Sequence, residues 1–308
     1  MEPKSQKKMN RKSLLQYILL AVLLFIAIIS VNVLVFDLSP RQVYSFFGAD
    51  NSRCKGSVCC FSFCNVGNGD SSLIYTEQAM GVVDFGVEDY AYSLSDKVSA
   101  LTESPLDFAI ISHPHSDHAG GFEVVAKTVG IRCLYIREYT SEQLEDYAYY
   151  EKILRVAEAY GIRVIHPRNN DVVQIGDITL NFYAPDFYTT DENERSLVVK
   201  ATIGSRSCLY VGDSGFSTEA VLMENDFDIK ADILKVGHHG SKKGSSQRFL
   251  KAVNPLYAVI SVGYNSYGHP APEVTGRLTK EGIPFYRTDG YQQIIFSVEQ
   301  ADLTVQCI

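Results

Sequence analysis

Two hydrophobic patterns share this chain. The first is one unbroken run, LLQYILLAVLLFIAIISVNVLVF at residues 14–36, with no charge over 23 positions. A helix needs roughly 20 apolar residues to cross a bilayer core, whereas the apolar region of a signal peptide is shorter, about 7–15 residues. Lys4, Lys7, Lys8, Arg11 and Lys12 precede the run, and no small-x-small cleavage pattern follows it before DLSPRQVY. The run predicts an uncleaved signal-anchor. Residues 1–13 are then a cytoplasmic basic tail, 14–36 the transmembrane span, 37–57 a stalk, and 58–308 an extracytoplasmic body on a cell membrane crossed once. A long, cleaved signal peptide is the alternative; a buried core helix fits neither the length nor the lysines.

The second pattern starts at Phe61. Short apolar runs separated by glycine turns read as strands: FSFCNVG, SSLIYT, GVVDFG, FAIISH, CLYIRE and RVIHP. DYAYSLSDKVSAL carries apolar residues near every third or fourth position and reads as a helix. TSEQLEDYAYYEKILRVAEAYG reads as a longer helix, opening on Thr140 or Ser141 and stopping at Gly161. DVVQIGDITLNFYAP predicts a hairpin turning at Gly176 and Asp177, and SLVVKATIG with RSCLYVGD a second. DILKVGHH, YAVISVG and PFYRTD then alternate, as strands, with the helices SSQRFLKAV and APEVTGRLTKEG; QQIIFSVE and LTVQCI close the chain. Mixed hairpins with interspersed helices predict an α+β fold of sheet layers covered by helices. No Pro- or Gly-rich linker interrupts residues 61–308, so the body reads as one domain.

Charge and cysteine usage add two constraints. The chain has 28 basic and 36 acidic residues; removing the first 36 positions leaves 23 against 35, a formal charge of −12 on the body. So acidic a body has no electrostatic footprint for long-range capture of nucleic acid. SKKGSSQR, at 241–248, is the local exception. All seven cysteines follow the apolar run, Cys54 in the stalk and six in the body. Outside the cytoplasm a disulfide from Cys54 to Cys59 or Cys60 is open. A zinc site made with Cys64 as well is disfavoured, because adjacent cysteines rarely face one metal. Cys133, Cys208 and Cys307 fall in apolar strand patterns and read as small core residues.

The chemistry concentrates in AIISHPHSDHAGG, residues 109–121, which holds three of the seven histidines. His113, His115, Asp117 and His118 form the pattern H-x-H-x-D-H at the end of an apolar strand, where sites commonly form. Imidazole with carboxylate suits zinc, and also manganese or iron. His113 and His115, two apart, face the same way from an extended strand end. Asp117 and His118 sit past the turn, positioned for a second metal. A lone histidine is usually structural; four potential ligands in six residues are not. His166, beside Pro167 at a strand end, reads as structural.

HPHSDHAGG resembles the signature loop of the metallo-β-lactamase-fold hydrolases. Asp84 in GVVDFG, Asp213 in CLYVGDS, and His238 and His239 in LKVGHHGSKKGSS are similar, in chain order, to that family's strand-end aspartate, bridging aspartate and late histidine motif. NVGNGDSSLI, with Asp70, resembles the D-V-G-Q-G-D-S motif of the competence-type branch, that of the ComEC C-terminal hydrolase domain. SVGYNSYGHPAPEV, with Asn265, Tyr267 and His269, is similar to that branch's closing motif, and PFYRTDGYQQIIF to its last strands. Two departures stand out. Asn65 occupies a position where the branch has aspartate. No histidine lies between His166 and His238 to act as the general family's third ligand; DENERSLVVK offers Asn193 and Ser196 there, a loss the branch shares.

The resemblance covers essentially all of 58–308 and implies a four-layer αββα sandwich with two divalent metal ions, zinc first and manganese second. The first ion is expected on His113, His115 and Asp213, the second on Asp117, His118, Asp213 and one of His238 and His239. His238 is favoured as the nearer to the strand, since adjacent residues on a strand end point to opposite sides. His239, Asp84 and Asp70 are further metal or supporting candidates. Ser241, Lys242, Asn265 and Tyr267 are expected to bind substrate, and Asp117 and His269 to be catalytic.

The function this implies is a membrane-anchored, extracytoplasmic, metal-dependent hydrolase. Paired cations lower the pKa of a bridging water and offset charge on a phosphoryl oxygen. Asp117 then orients the hydroxide and His269 protonates the leaving group. A phosphodiester is the expected substrate, DNA among them, with small phosphoesters or cell-wall esters as rivals. The missing histidine disfavours a β-lactam. The contrasting class is a non-catalytic surface binding protein that keeps fold and metal.

Overall fold

The computed structural model describes residues 59–187 and 189–308. The tail, span and stalk expected over 1–57, and with them Cys54, lie outside the described residues. Among the described residues no helix is long and apolar enough to cross a membrane, and the described cysteines form no disulfide with one another.

The apolar runs become strands. In chain order these are β1 (Cys60–Cys64), β2 (Ser71–Tyr75), β3 (Met80–Phe85), β4 (Phe108–Ile111), β5 (Cys133–Ile136), β6 (Arg163–Ile165), β7 (Val172–Ile175), β8 (Ile178–Tyr183), β9 (Val198–Ile203), β10 (Arg206–Tyr210), β11 (Ile233–Lys235), β12 (Tyr257–Ile260), β13 (Phe285–Arg287), β14 (Gln293–Glu299) and β15 (Asp302–Cys307). The α-helices are α1 (Ala91–Leu101), α2 (Ser116–Ala119), α3 (Phe122–Thr128), α4 (Tyr147–Ala159), α5 (Phe216–Glu224), α6 (Gln247–Val253) and α7 (Pro272–Lys280).

Two sheets result. One has eight strands in the order β15-β14-β1-β2-β3-β4-β5-β6, the other seven in the order β13-β12-β11-β10-β9-β8-β7. Each is part antiparallel and part parallel. β3 to β6 run parallel, and so do β10 to β13. Parallel neighbours need crossovers, which is where the helices fall in the chain. β1, β2 and β3 are buried on both faces, which is why they read as continuous apolar runs.

Three apolar layers separate four structural ones. Phe61, Phe63, Phe108 and Ile110 of the first sheet meet Phe182, Val199, Tyr210 and Ile233 of the second. Leu94, Phe122 and Ile153 of α1, α3 and α4 cover the outer face of the first sheet. Leu222, Leu250 and Leu278 of α5, α6 and α7 cover that of the second. This is the helix–sheet–sheet–helix sandwich the sequence predicts.

Local signals held where chain chemistry was decisive. The first hairpin turns at Gly176, φ 57°, with Ile175 opposite Ile178. The second pairs Ile203 with Arg206. The long helix differs: it begins at Tyr147, because Asp146 caps it by accepting from the Tyr149 N–H at 3.0 Å. Residues before Asp146 form a turn in which Gln143 Oε1 accepts from the Thr140 N–H. The DILKVGHH strand is also shorter than expected, ending at Lys235. Helices α3 and α5 carry no pattern that the sequence reading picked out.

Phe182 is fully buried between the sheets. Phe182→Ala is expected to lower the unfolding free energy by about 3–5 kcal/mol, read by denaturant titration; a loss below about 1 kcal/mol would contradict this packing.

Candidate metal centre

The ends of parallel strands from both sheets converge on one cluster, as ligand sites in such sheets do. Asp84 is the penultimate residue of β3, His113 follows β4, Asp213 follows β10, and His238 and His239 follow β11. The one-turn helix α2 forms as the His118 and Ala119 N–H groups both donate to the His115 carbonyl, at 3.0 and 2.8 Å. It carries Asp117 and His118 to the cluster. Ligand atoms of Asp117, His118, Asp213 and His239 all lie within 4.8 Å of one another.

Each imidazole here has one nitrogen held by the protein and the other turned to its neighbours. His113 Nδ1 contacts the Ser112 and Ser196 hydroxyls at 3.1 and 3.4 Å, while its Nε2 lies 3.0 Å from His115 Nδ1. His115 Nε2 meets Glu192 Oε2 at 2.9 Å. His118 Nδ1 meets Asp84 Oδ2 at 2.9 Å, and its Nε2 faces Asp213 Oδ1 at 3.2 Å. His239 Nδ1 meets the Ser261 carbonyl at 2.9 Å, and its Nε2 faces Asp117 and Asp213 at 3.3 and 3.4 Å. Asp84 itself is fixed, in a left-handed conformation of φ 58°, by the Ser112 N–H at 2.7 Å and the Ser112 hydroxyl at 2.8 Å.

His238 and His239 depart from the strand-end expectation. Both adopt φ 49°, inside a tight 3-10 turn over Gly237–Gly240. Alternation along a strand therefore does not apply, and both rings fall on the Asp213 side. His239 is buried and joins the cluster; His238 is the more exposed and stands 3.7 Å from Asp213 Oδ2. Of the two, His239 is therefore the one whose ligand atom lies within the cluster.

Buried charge dominates the electrostatics. Burial, the largest single influence, pushes the His118 and His239 imidazoles towards neutrality, but the carboxylates together outweigh it: Asp213 with Asp84 and Asp117 at His118, and Asp213 with Asp70 and Asp117 at His239. The result is His118 well above the usual range and His239 at about 10. His113 goes the other way, well below the usual range, through burial and the neighbouring His118 and His115. Burial raises Asp213, yet His239 and His118 hold it well below the usual range. Behind them Lys235, itself buried, pairs with Asp70. The sequence reading missed Lys235; a lysine inside the apolar stretch DILKVG was its only signal.

The remaining candidates separate by position. A cavity of about 440 Å³ is lined by Asn68, His115, Asp117, Tyr149, Asp213, His238, His239, Tyr267 and His269, among others. Tyr267 stacks on His269, ring centres 5.8 Å apart. Asn265 spends its amide within its own loop, on Gly263, Tyr267 and His269. Ser241 is buried and Lys242 exposed, and neither lines this cavity. Gly69 explains part of the NVGNGD turn: a Cβ there would come 2.4 Å from the Asp117 carbonyl. Asn65 Oδ1 accepts from the Gly67 N–H at 3.2 Å, a turn contact an aspartate would also make. His166 Nδ1 binds the Ile136 carbonyl at 2.8 Å, away from the cluster.

Two further buried carboxylates brace the surrounding loops. Glu194 accepts from the N–H groups of Gly215, Ser217 and Thr218 at 2.9–3.1 Å, capping α5 just after Asp213. Glu219 accepts from the Ser245 and Ser246 N–H groups.

A helix–sheet–sheet–helix sandwich with a buried His/Asp cluster at its strand ends defines a class of metal-binding proteins, most of them metal-dependent hydrolases. The chain belongs to the metallo-beta-lactamase superfamily, whose model matches residues 64–264. It is 30% identical over 245 residues to ComE operon protein 3 of Bacillus subtilis, covering 73% of this chain and 31% of that one. It is 31% identical over 231 residues to competence protein ComA of Neisseria gonorrhoeae, covering 73% and 30%. The chain thus spans about a third of the length of these relatives, which agree with the competence-type branch. Among solved structures it is similar to the metallo-beta-lactamase fold protein YhfI of Bacillus subtilis, at TM-score 0.51 and 15% identity, over 74% of this chain and 96% of that one.

Burial, with Glu194 adding to it, pushes the Glu219 carboxyl from 4.5 up to about 7. The folded state then keeps a proton that the unfolded chain releases, so this group makes stability fall as pH rises from 4.5 to 7. Glu219→Gln is expected to flatten that part of the stability profile. Denaturant midpoints across the window check it; an unchanged slope would refute it.

Proposed function

We propose that this chain is a two-metal hydrolase of phosphodiesters, anchored by residues 14–36 with its body outside the cytoplasm. The observation that carries the reading is the arrangement of the four imidazoles, each held at one nitrogen and presenting the other. The donor set fits divalent cations. His118 Nε2 and Asp213 Oδ1 are buried 3.2 Å apart and have no hydrogen-bond partner beyond each other, and imidazole with carboxylate suits zinc first, manganese second. His113, His115 and Asp213 would hold the first ion. Asp117, His118, Asp213 and His239 would hold the second.

Bound there, two divalent cations supply a water of lowered pKa and offset the charge of a phosphoryl oxygen. The chain's own residues do the rest. Asp117, at the cavity wall, accepts a hydrogen bond from the attacking water and so aims it. Asp84, Ser112 and the Ser261 carbonyl hold His118, His113 and His239 in fixed ring orientations, so little reorganisation accompanies reaction. Burial, with His238 and His239 nearby, lowers the pKa of His269. Its imidazole is therefore neutral at neutral pH and serves the departing oxygen as an N–H hydrogen-bond donor. The cavity lining holds no lysine or arginine, so the phosphate's charge falls to the cations. The resemblance to the competence-type branch makes DNA the first phosphodiester to test; small phosphoesters and cell-wall esters follow.

A second reading, a metal-containing surface binding protein without turnover, draws on Asn65 and on the missing third histidine, in whose region the chain offers Asn193 and Ser196 instead. Metal content and turnover of bis-p-nitrophenyl phosphate and single-stranded DNA separate the two. The hydrolase reading expects two ions per chain, loss of turnover on chelation and recovery with zinc or manganese. Asp117→Ala is expected to cost at least about 100-fold in rate, and His239→Ala to lose the second ion while His238→Ala keeps it. Two ions with no turnover of any phosphodiester would favour the binding protein.

A further inference from the structure

We propose that Glu192 is a positioning residue for His115, and that it ties the first metal ion to the loop over residues 140–146. This rests on the two-metal reading above.

His115 is the least sheltered imidazole of the set. Its side chain is 36% exposed, against 0% for His118 and 3% for His239. Core packing fixes the buried rings; an exposed ring needs a hydrogen-bonded partner to keep one orientation. Glu192 Oε2 supplies it, 2.9 Å from His115 Nε2. The contact lies on the far edge of the ring from Nδ1, the atom that faces His113 Nε2 at 3.0 Å. Glu192 therefore acts through His115, holding the tautomer that leaves Nδ1 unprotonated. A carboxylate on the outer nitrogen also makes a histidine a stronger donor to metal.

The other Glu192 oxygen accepts from the Glu145 N–H. One carboxylate thus joins His115 to the turn ahead of α4. Glu192 itself is held on the 3-10 turn Glu192–Arg195, which Asp191 caps by accepting from the Asn193 N–H at 3.1 Å. The same stretch continues to Glu194, which braces Gly215, and to Ser196. The Ser196 hydroxyl touches His113 Nδ1 at 3.4 Å and accepts from the Asp213 N–H at 3.1 Å. Residues 192–196 therefore touch His115, His113 and the Asp213 loop, the groups assigned to the first ion. Sequence reasoning could not find Glu192, which is one acid among four charged residues in DENER.

The test is cobalt(II) titration of the purified body, followed by d–d absorption, with zinc competition and thermal unfolding alongside. Glu192→Ala is expected to weaken the first ion by about 10–100-fold and to leave the second unchanged. Glu192→Gln keeps a single acceptor for its two donors and is expected to fall between; it carries the test if the alanine variant does not fold. In a His115→Ala background, Glu192→Ala is expected to add less than about twofold. Wild-type affinity for both ions in Glu192→Ala, or an equal loss with and without His115, would overturn the proposal. A wild-type protein that binds fewer than two ions would instead overturn the two-metal reading.

Discussion

Too much negative charge is buried in one place. Asp70, Asp84 and Asp213 are each at most 4% exposed, and Asp117 stands beside them. Against these carboxylates the described structure sets one buried lysine, Lys235. Removing ionised groups from water costs several kcal/mol each unless opposite charge answers them. Without metal, the deficit is met by protons: His118 and His239 are driven to hold them well above the usual imidazole range. Cations can replace those protons directly, so the strained acid–base balance and the affinity for metal are the same property. Metal binding then releases protons, and its strength rises with pH until the imidazoles titrate.

That constraint accounts for three of the seven non-glycine left-handed residues among the described residues. Asp84, His238 and His239 all adopt left-handed conformations without being glycine. Such residues cost of order 1–3 kcal/mol each and persist where the surroundings over-determine them. Here the Ser112 N–H and hydroxyl lock Asp84, and the Ser261 carbonyl locks His239. The sandwich supplies the rigidity: strands buried on both faces end at the cluster.

What could be read from the sequence follows the same division. Strands, hairpins and layers were legible, because apolar runs and glycine turns are local signals. His113, His115, Asp117 and His118 were legible because one strand end and one helical turn carry all four. Asp213 and Asp84 needed the family resemblance. Which of His238 and His239 joins the cluster was not legible, since it depends on a left-handed turn that no pattern announces. Lys235, Glu192, Glu194 and Glu219 were invisible for a different reason: their partners lie far away in sequence, and a charged residue alone reads as solvated surface. The start of α4 was misread because Asp146, rather than Thr140 or Ser141, offers its oxygen to a free N–H.

The cluster draws its side chains from both sheets: His113 and the α2 residues Asp117 and His118 from the segment after β4, Asp213 and His239 from loops after β10 and β11. Any ion that joins them is a cross-link between the halves of the sandwich. The unfolded chain retains only the short H-x-H-x-D-H segment, so most of the binding free energy belongs to the folded state. Metal supply then acts as a thermodynamic tether, and the cohesion of the two sheets becomes a reporter of how much free metal surrounds the protein.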